Sequence, residues 1–139
     1  MKYEGRSNNS EIEKMNKKEE KKKYPDIEER TFVFAVKVVR LVLKLPNNNV
    51  GTWKIGGQII SSATSVNSNI VQARSGISRN DFINHFRIAR KEAKETQRWL
   101  QLMVAVDLVP EEKANLLIQE NEEIIKILVT IVKNAEKNK

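Results

Sequence analysis

Between residues 82 and 103 a heptad repeat runs without a break. Phe82, Phe86, Ala89, Ala93, Thr96, Leu100 and Met103 recur at spacings of 4, 3, 4, 3, 4 and 3. That is the apolar seam of a helix lying along another helix, and it leaves little room for any fold but a helical bundle. The same segment carries a second stripe. Arg87, Lys91, Lys94 and Arg98 are spaced 4, 3 and 4. At about 100° per residue they fall within about 60° of one another, nearly opposite the seam. One side of this helix is built for a core and the other for something negatively charged.

Three further helices are expected around it. The first runs from about Asp26, an N-cap after Pro25, to Leu45, where Pro46 and Asn47, Asn48 and Asn49 end it. The second runs from near Thr52 to about Arg74, with Gly76 as its stop. The seam helix opens at Ser78, with Asp81 three residues on as in a capping box, and reaches about Val106. The last has Pro110 in its first turn, then Glu111 and Glu112 against the positive end of the helix dipole, and runs to the Lys-rich C-terminus. Short connections favour antiparallel neighbours. The expected fold is therefore all-α, a single antiparallel up-down-up-down four-helix bundle over residues 25–139. No strand pattern or internal repeat competes with it.

Residues 1–24 are polar and densely charged, ending in Lys21, Lys22 and Lys23. They hold too little apolar surface to offset the entropy of ordering, so a flexible tail is expected there, either merely solvated or serving as an electrostatic arm for phosphates. Over the 139 residues Lys and Arg outnumber Asp and Glu by 25 to 18, a net charge of +7. Residues 1–25 contribute 8 basic and 5 acidic side chains, so the excess is mild in both parts and clustering matters more than the total. Such a balance permits nucleic-acid binding without requiring it. The chain has no cysteine, which removes disulfides, thiolate metal ligands and thiol nucleophiles. Neither a secretory leader nor a membrane-length apolar run is evident, and a cytoplasmic location is expected.

Two helices are more apolar than a lone bundle needs. In the first, Phe32 to Leu45 leaves only Lys37, Arg40 and Lys44 as a narrow polar strip. In the last, Ile124, Ile125, Ile127, Leu128, Val129, Ile131 and Val132 nearly encircle the axis. A helix apolar most of the way round expects burial on more than one side, so a homo-oligomer is expected. The second helix differs. Ser61, Ser62, Ala63, Thr64, Ser65, Asn67, Ser68 and Asn69 surround its apolar positions, which reads as close helix approach with internal hydrogen bonds. None of these serines has a base on its own helix, as nucleophilic catalysis would need.

The chain resembles the bacterial four-helix-bundle family that includes proteins encoded in intervening sequences of large-subunit ribosomal RNA genes, a family related to the accessory proteins of diversity-generating retroelements. The resemblance covers about residues 24–136. It rests on Tyr24-Pro25-Asp26-Ile27-Glu28-Glu29-Arg30-Thr31-Phe32, on Gln58 to Val66 running into Asn69-Ile70-Val71-Gln72-Ala73, and on Ser78-Arg79-Asn80-Asp81-Phe82. Its most specific block is Ile88-Ala89-Arg90-Lys91-Glu92-Ala93-Lys94-Glu95-Thr96 with Trp99-Leu100. The family usually has a glutamate where this chain has Gln72. The resemblance implies an antiparallel bundle assembling into rings, pentameric in relatives of known structure. It also implies, through the retroelement proteins, binding of nucleic acid and of a reverse transcriptase by a basic surface.

The candidate binding residues are Arg87, Arg90, Lys91, Lys94 and Arg98. Repeated around a ring they would form a strong positive field for RNA or DNA. Alternatively they form a solvated face softened by Glu95, one turn from both Lys91 and Arg98. No aromatic residues interleave with them, so binding should be weakly sequence-specific. Glu92, Glu95 and Trp99 lie between seam and ridge. Trp99 needs an acceptor for its N–H, and Glu92 is one candidate. No catalytic residue, cofactor or metal is expected, because the single histidine, His85, lacks the Glu-x-x-His pairs of di-iron bundles. Arg79-Asn80 followed by His85 does match the Arg-Asn…His spacing of helical ribonucleases of the HEPN class, which keeps a metal-independent nuclease as one alternative. A protein-interaction module without nucleic acid is the other.

Overall fold

Asp26 opens the first helix as its sequence position suggests, its carboxylate accepting the Glu28 N–H at 3.0 Å. In the computed structural model, which describes residues 26–76 and 78–138, four helices follow in order. They are α1 (Ile27–Leu43), α2 (Val50–Arg74), α3 (Arg79–Ala105) and α4 (Glu111–Lys137), with no strand among the described residues. Asn49 caps α2 by accepting from Thr52 N, and Ser78 caps α3 by accepting from Asp81 N. Pro110 occupies the N-cap position of α4 rather than its first turn. The expected tail lies outside the described residues.

Each helix packs on its sequence neighbour, and α4 closes the square against α1; the backbones of the diagonal pairs, α1 with α3 and α2 with α4, stay apart across the core. This is an up-down-up-down bundle in which α1, only 17 residues long against 25 and 27, stops short of its neighbours. The α3 seam faces the centre. Phe86, Ala89, Ala93, Thr96, Leu100 and Met103 are buried, and Phe82 is half-buried with its ring against Phe86. Facing them are Phe34 and Val38 of α1, Ile59, Val66 and Ile70 of α2, and Ile124, Leu128 and Val132 of α4. At about 1.5–3 kcal/mol per large side chain removed from water, this core dominates the favourable side of folding.

Polar pins fix the helices along their length. Thr96 donates to Ser62 Oγ at 2.8 Å between α3 and α2, both side chains buried. Asn121 on α4 donates to the Ala93 carbonyl at 2.8 Å and to Gln97 Oε1 at 2.9 Å, while Gln97 donates to the Ile118 carbonyl. Asn67 on α2 donates to the Glu28 carbonyl and to Thr31 Oγ1 on α1. The hydroxyls and amides of α2 thus serve close packing and internal hydrogen bonds, as their spacing suggests. Gly56 marks the tightest approach. A Cβ there would sit 2.8 Å from Val42 Cγ1 of α1.

The connection after α3 carries the only positive φ among the described non-glycine residues, Asp107 at 59°. Leu108 N donates to the Met103 carbonyl and Asp107 N to the Val104 carbonyl, the paired bonds of a Schellman stop.

The expected surplus of apolar surface is relocated. On α4, Ile124, Ile127, Leu128 and Val132 are buried and Ile125, Val129 and Ile131 are half-buried, because α3 and α1 cover both its flanks. On α1 the surplus remains: Phe32, Val33 and Leu43 are exposed. Trp53 of α2 joins them at 73% exposure and Leu116 of α4 at 72%, neither of which the helical periodicity singles out.

Candidate nucleic-acid interface

The ridge residues emerge on the side of α3 away from the core. Arg87, Lys91, Lys94 and Arg98 are exposed, and Arg90 is half-buried toward α4. Their cationic groups are largely free. Arg87 pairs with Glu136 of α4 at 3.4 Å, and Arg98 donates to Gln101 Oε1 at 3.0 Å. Neither Lys91, Lys94 nor Arg98 makes an ion pair among the described residues. Glu95 does not soften them as its spacing allows; it accepts instead from Trp99 Nε1 at 3.4 Å. That geometry also takes the Trp99 acceptor role away from Glu92.

The basic surface extends beyond the ridge. A groove of about 500 Å³ between α3 and α4 is lined by Arg90, Val129, Lys133, Glu136 and Lys137. Lys133 and Lys137 therefore join Arg90 on a face that no single-helix pattern reveals. The signal was the antiparallel order itself, which sets the start of α3 beside the end of α4. Arg79 Nη2 donates to the Ala135 carbonyl at that same end.

Glu92 is half-buried, and its carboxylate forms no hydrogen bond or ion pair among the described residues, although its backbone carbonyl accepts from Thr96 Oγ1 at 2.8 Å. Burial pushes its carboxyl above the usual carboxylate range, the nearby Glu95 adds to the shift, and Lys91 opposes it. Across the bundle, hydrogen bonding to Glu120 raises the Arg30 guanidinium above its ordinary value, against a smaller opposing effect of burial. Arg30 donates to Glu120 through Nε at 2.9 Å and Nη2 at 2.6 Å, and it also contacts Glu123. The same hydrogen bond holds the Glu120 carboxyl below its usual range. This is a structural clasp between α1 and α4.

Arg79 and His85 do not converge. His85 Nδ1 meets Asn69 Oδ1 of α2 at 3.1 Å, while Arg79 reaches α4. Six helical positions set them about 120° apart around the axis, so they line no common cleft. Asn69 in turn donates to Ser65, so the histidine belongs to an internal polar chain. No cluster of three His, Asp or Glu residues able to hold a metal ion occurs among the described residues, and no helix there is long and apolar enough to cross a membrane. Gln72 is exposed on α2.

Known proteins place this arrangement. No curated protein matches the chain. Among solved structures, a protein of unknown function from the S23 ribosomal protein family of Bacteroides thetaiotaomicron is similar. It shares 35% identity over 77% of this chain and 98% of its own, with a TM-score of 0.70. Residues 23–130 match the family described as 23S rRNA-intervening sequence protein, a span that takes in nearly all of the bundle. The four-helix fold, the α3 block and this match agree: the chain belongs to the 23S rRNA-intervening sequence protein family.

Proposed function

We propose that this protein is a non-enzymatic, self-assembling scaffold that binds nucleic acid, RNA or an RNA–protein complex, through the basic ridge of α3. The observation that carries the reading is the ridge itself. Arg87, Lys91, Lys94 and Arg98 are exposed on one side of a rigid helix, and three of the four make no ion pair among the described residues. Arg90, Lys133 and Lys137 extend the positive surface into the α3–α4 groove. Cations fixed on a helix neutralise phosphates without selecting bases, so affinity should fall steeply with salt and depend little on sequence. The exposed apolar surface of α1 and α2 supports self-association, and the family resemblance favours a five-membered ring, which multiplies the positive field.

The test is RNA binding measured over a salt series. Replacing Arg87, Lys91, Lys94 and Arg98 together by Ser should remove most binding and reduce the slope of log affinity against log salt by about 3–4 per subunit engaged. Unchanged affinity and slope in the quadruple variant would sink the reading and leave a protein-interaction role in its place.

A further inference from the structure

Where α1 stops and α2 begins, the surface differs from the rest of the molecule. Residues 31–80 span most of α1, its connection and all of α2, yet all 18 acidic residues of the chain lie outside this stretch. It carries Lys37, Arg40, Lys44 and Lys54, each exposed. The carboxylates at the same end of the bundle, Asp107, Glu111 and Glu112, lie on or beside the α3–α4 connection, along the opposite edge of the square.

A groove of about 530 Å³ opens at this acid-free edge. Val42 and Leu45, at and just past the end of α1, form its apolar side, and Trp53 and Lys54 of α2 line the other. Trp53 leaves its large apolar ring mostly in water, at 73% exposure. The position one turn on, where a side chain would lie beside the indole, is Gly57, and a Cβ there would meet nothing within 4 Å. The space beside the ring is therefore open. Gly56 meanwhile lets Val42 close in behind it, which gives the open slot a tight floor. Asn47 and Gln58 also line the groove, and neither side chain makes a hydrogen bond among the described residues.

We propose that this groove takes an unpaired base of a single-stranded nucleic acid, stacked on Trp53, with Lys54 against a neighbouring phosphate. Every base has a π-face, so an indole platform selects single strands over duplexes without selecting sequence. The two free amides offer donors and acceptors to a base edge. Lys54 makes no ion pair among the described residues, and a polyanion following this edge meets cations and no carboxylate. Other occupants fit less well. Two copies meeting symmetrically here would set Lys44 and Lys54 against their own kind, and a flat lipid surface does not reach a recess floored by Gly56.

The groove also lies at the right end of the molecule. The Thr96–Ser62 and Asn69–His85 bonds align α2 antiparallel to α3, so Arg98 is the ridge residue nearest to the start of α2. A strand leaving the ridge past Arg98 heads toward the end that holds Trp53. The inference shares its class of partner with the function proposed above, but adds a second site and the form of the nucleic acid, and it does not depend on the ridge.

The test uses the full chain carrying Trp99→Phe, which leaves Trp53 as the only tryptophan. An oligouridylate of about 12 nucleotides should quench Trp53 emission, and an RNA duplex of equal length should not. Anisotropy of the labelled oligonucleotide, with Trp99 restored, gives the affinities. Trp53→Ala should weaken single-strand binding about tenfold or more, Trp53→Phe should keep most of it, and Gly57→Leu, which fills the slot, should act like Trp53→Ala. Duplex affinity should not change, and circular dichroism should show each variant folded. Single-strand affinity indifferent to Trp53→Ala and Gly57→Leu, an equal loss for duplex, or emission indifferent to the oligonucleotide overturns the groove, whatever the quadruple ridge variant does. A blue shift on anionic vesicles without any response to the oligonucleotide overturns it in favour of a lipid surface. Quenching that persists while the ridge variant binds like wild type supports the groove and refutes the ridge alone. A wild-type chain that binds neither single strand nor duplex overturns both.

Discussion

Gly56 and Gly57 are adjacent on α2, yet the bundle treats them differently. A Cβ at Gly57 meets nothing within 4 Å, whereas a Cβ at Gly56 meets Val42 Cγ1 at 2.8 Å. Replacing either glycine by alanine raises helix propensity by the same amount, about 1 kcal/mol, so Gly57→Ala should stabilise by about that much. Gly56→Ala gains the same increment and must also overpack the α1–α2 contact, where the obstructing methyl belongs to a stiff β-branched side chain; such insertions cost about 1–3 kcal/mol. Propensity cancels in the difference between the two variants, leaving the steric cost alone. The two should therefore differ by about 1–3 kcal/mol, with Gly57→Ala the more stable. Urea unfolding at fixed protein concentration reads this as a gap in midpoint of about 0.5–2 M. Adding Val42→Ala should narrow the gap by relieving the clash. Equal midpoints for the two alanine variants would falsify the close approach of α1 to α2 at this point.

Other outcomes are as definite. Asp107→Gly should stabilise by about 0.5–1 kcal/mol, since Asp107 holds a left-handed conformation at the α3 stop that glycine adopts without strain; thermal unfolding checks it, and a lower midpoint refutes it. Because Arg30 holds the Glu120 carboxyl below its ordinary range, the clasp contributes stability that is present above the unfolded-state value and lost as pH falls through the folded one. Glu120→Gln should thus be less stable than wild type at neutral pH, by about 1–3 kcal/mol, with the deficit shrinking in acid; a deficit constant with pH argues against the clasp. Thr96→Val should destabilise by about 1 kcal/mol, and the combination with Ser62→Ala should cost less than the sum of the two single changes in a double-mutant cycle.

Periodicity on α3 foretold both of its faces, because seam and ridge each repeat over several turns and burial on one side forces exposure on the other. Caps at Asp26 and Ser78 were equally plain, since each acts on its own first turn. What escaped was information held jointly by two helices. The apolar residues of α4 look like surplus in isolation, yet Ile125, Val129 and Ile131 are sheltered by neighbours whose width a single helix does not reveal. Lys133 and Lys137 acquire meaning only beside Arg90. Glu95, placed by spacing to pair with Lys91 or Arg98, bonds Trp99, which the same spacing allows equally well. Trp53 sits among glycines near a helix start, where no pattern assigns it a side.

The Thr96–Ser62 and Asn121–Gln97 bonds have a consequence for how this bundle can change. Leucine fits against leucine at many offsets, so an oily interior alone would let one rod slide a full turn, about 5.4 Å, at little cost. Hydroxyl and amide tolerate only one alignment, because any other strands them dry and unmatched. Swapping these four for hydrocarbon should therefore yield a tougher but less particular protein, one whose outward cations no longer stand at a single height.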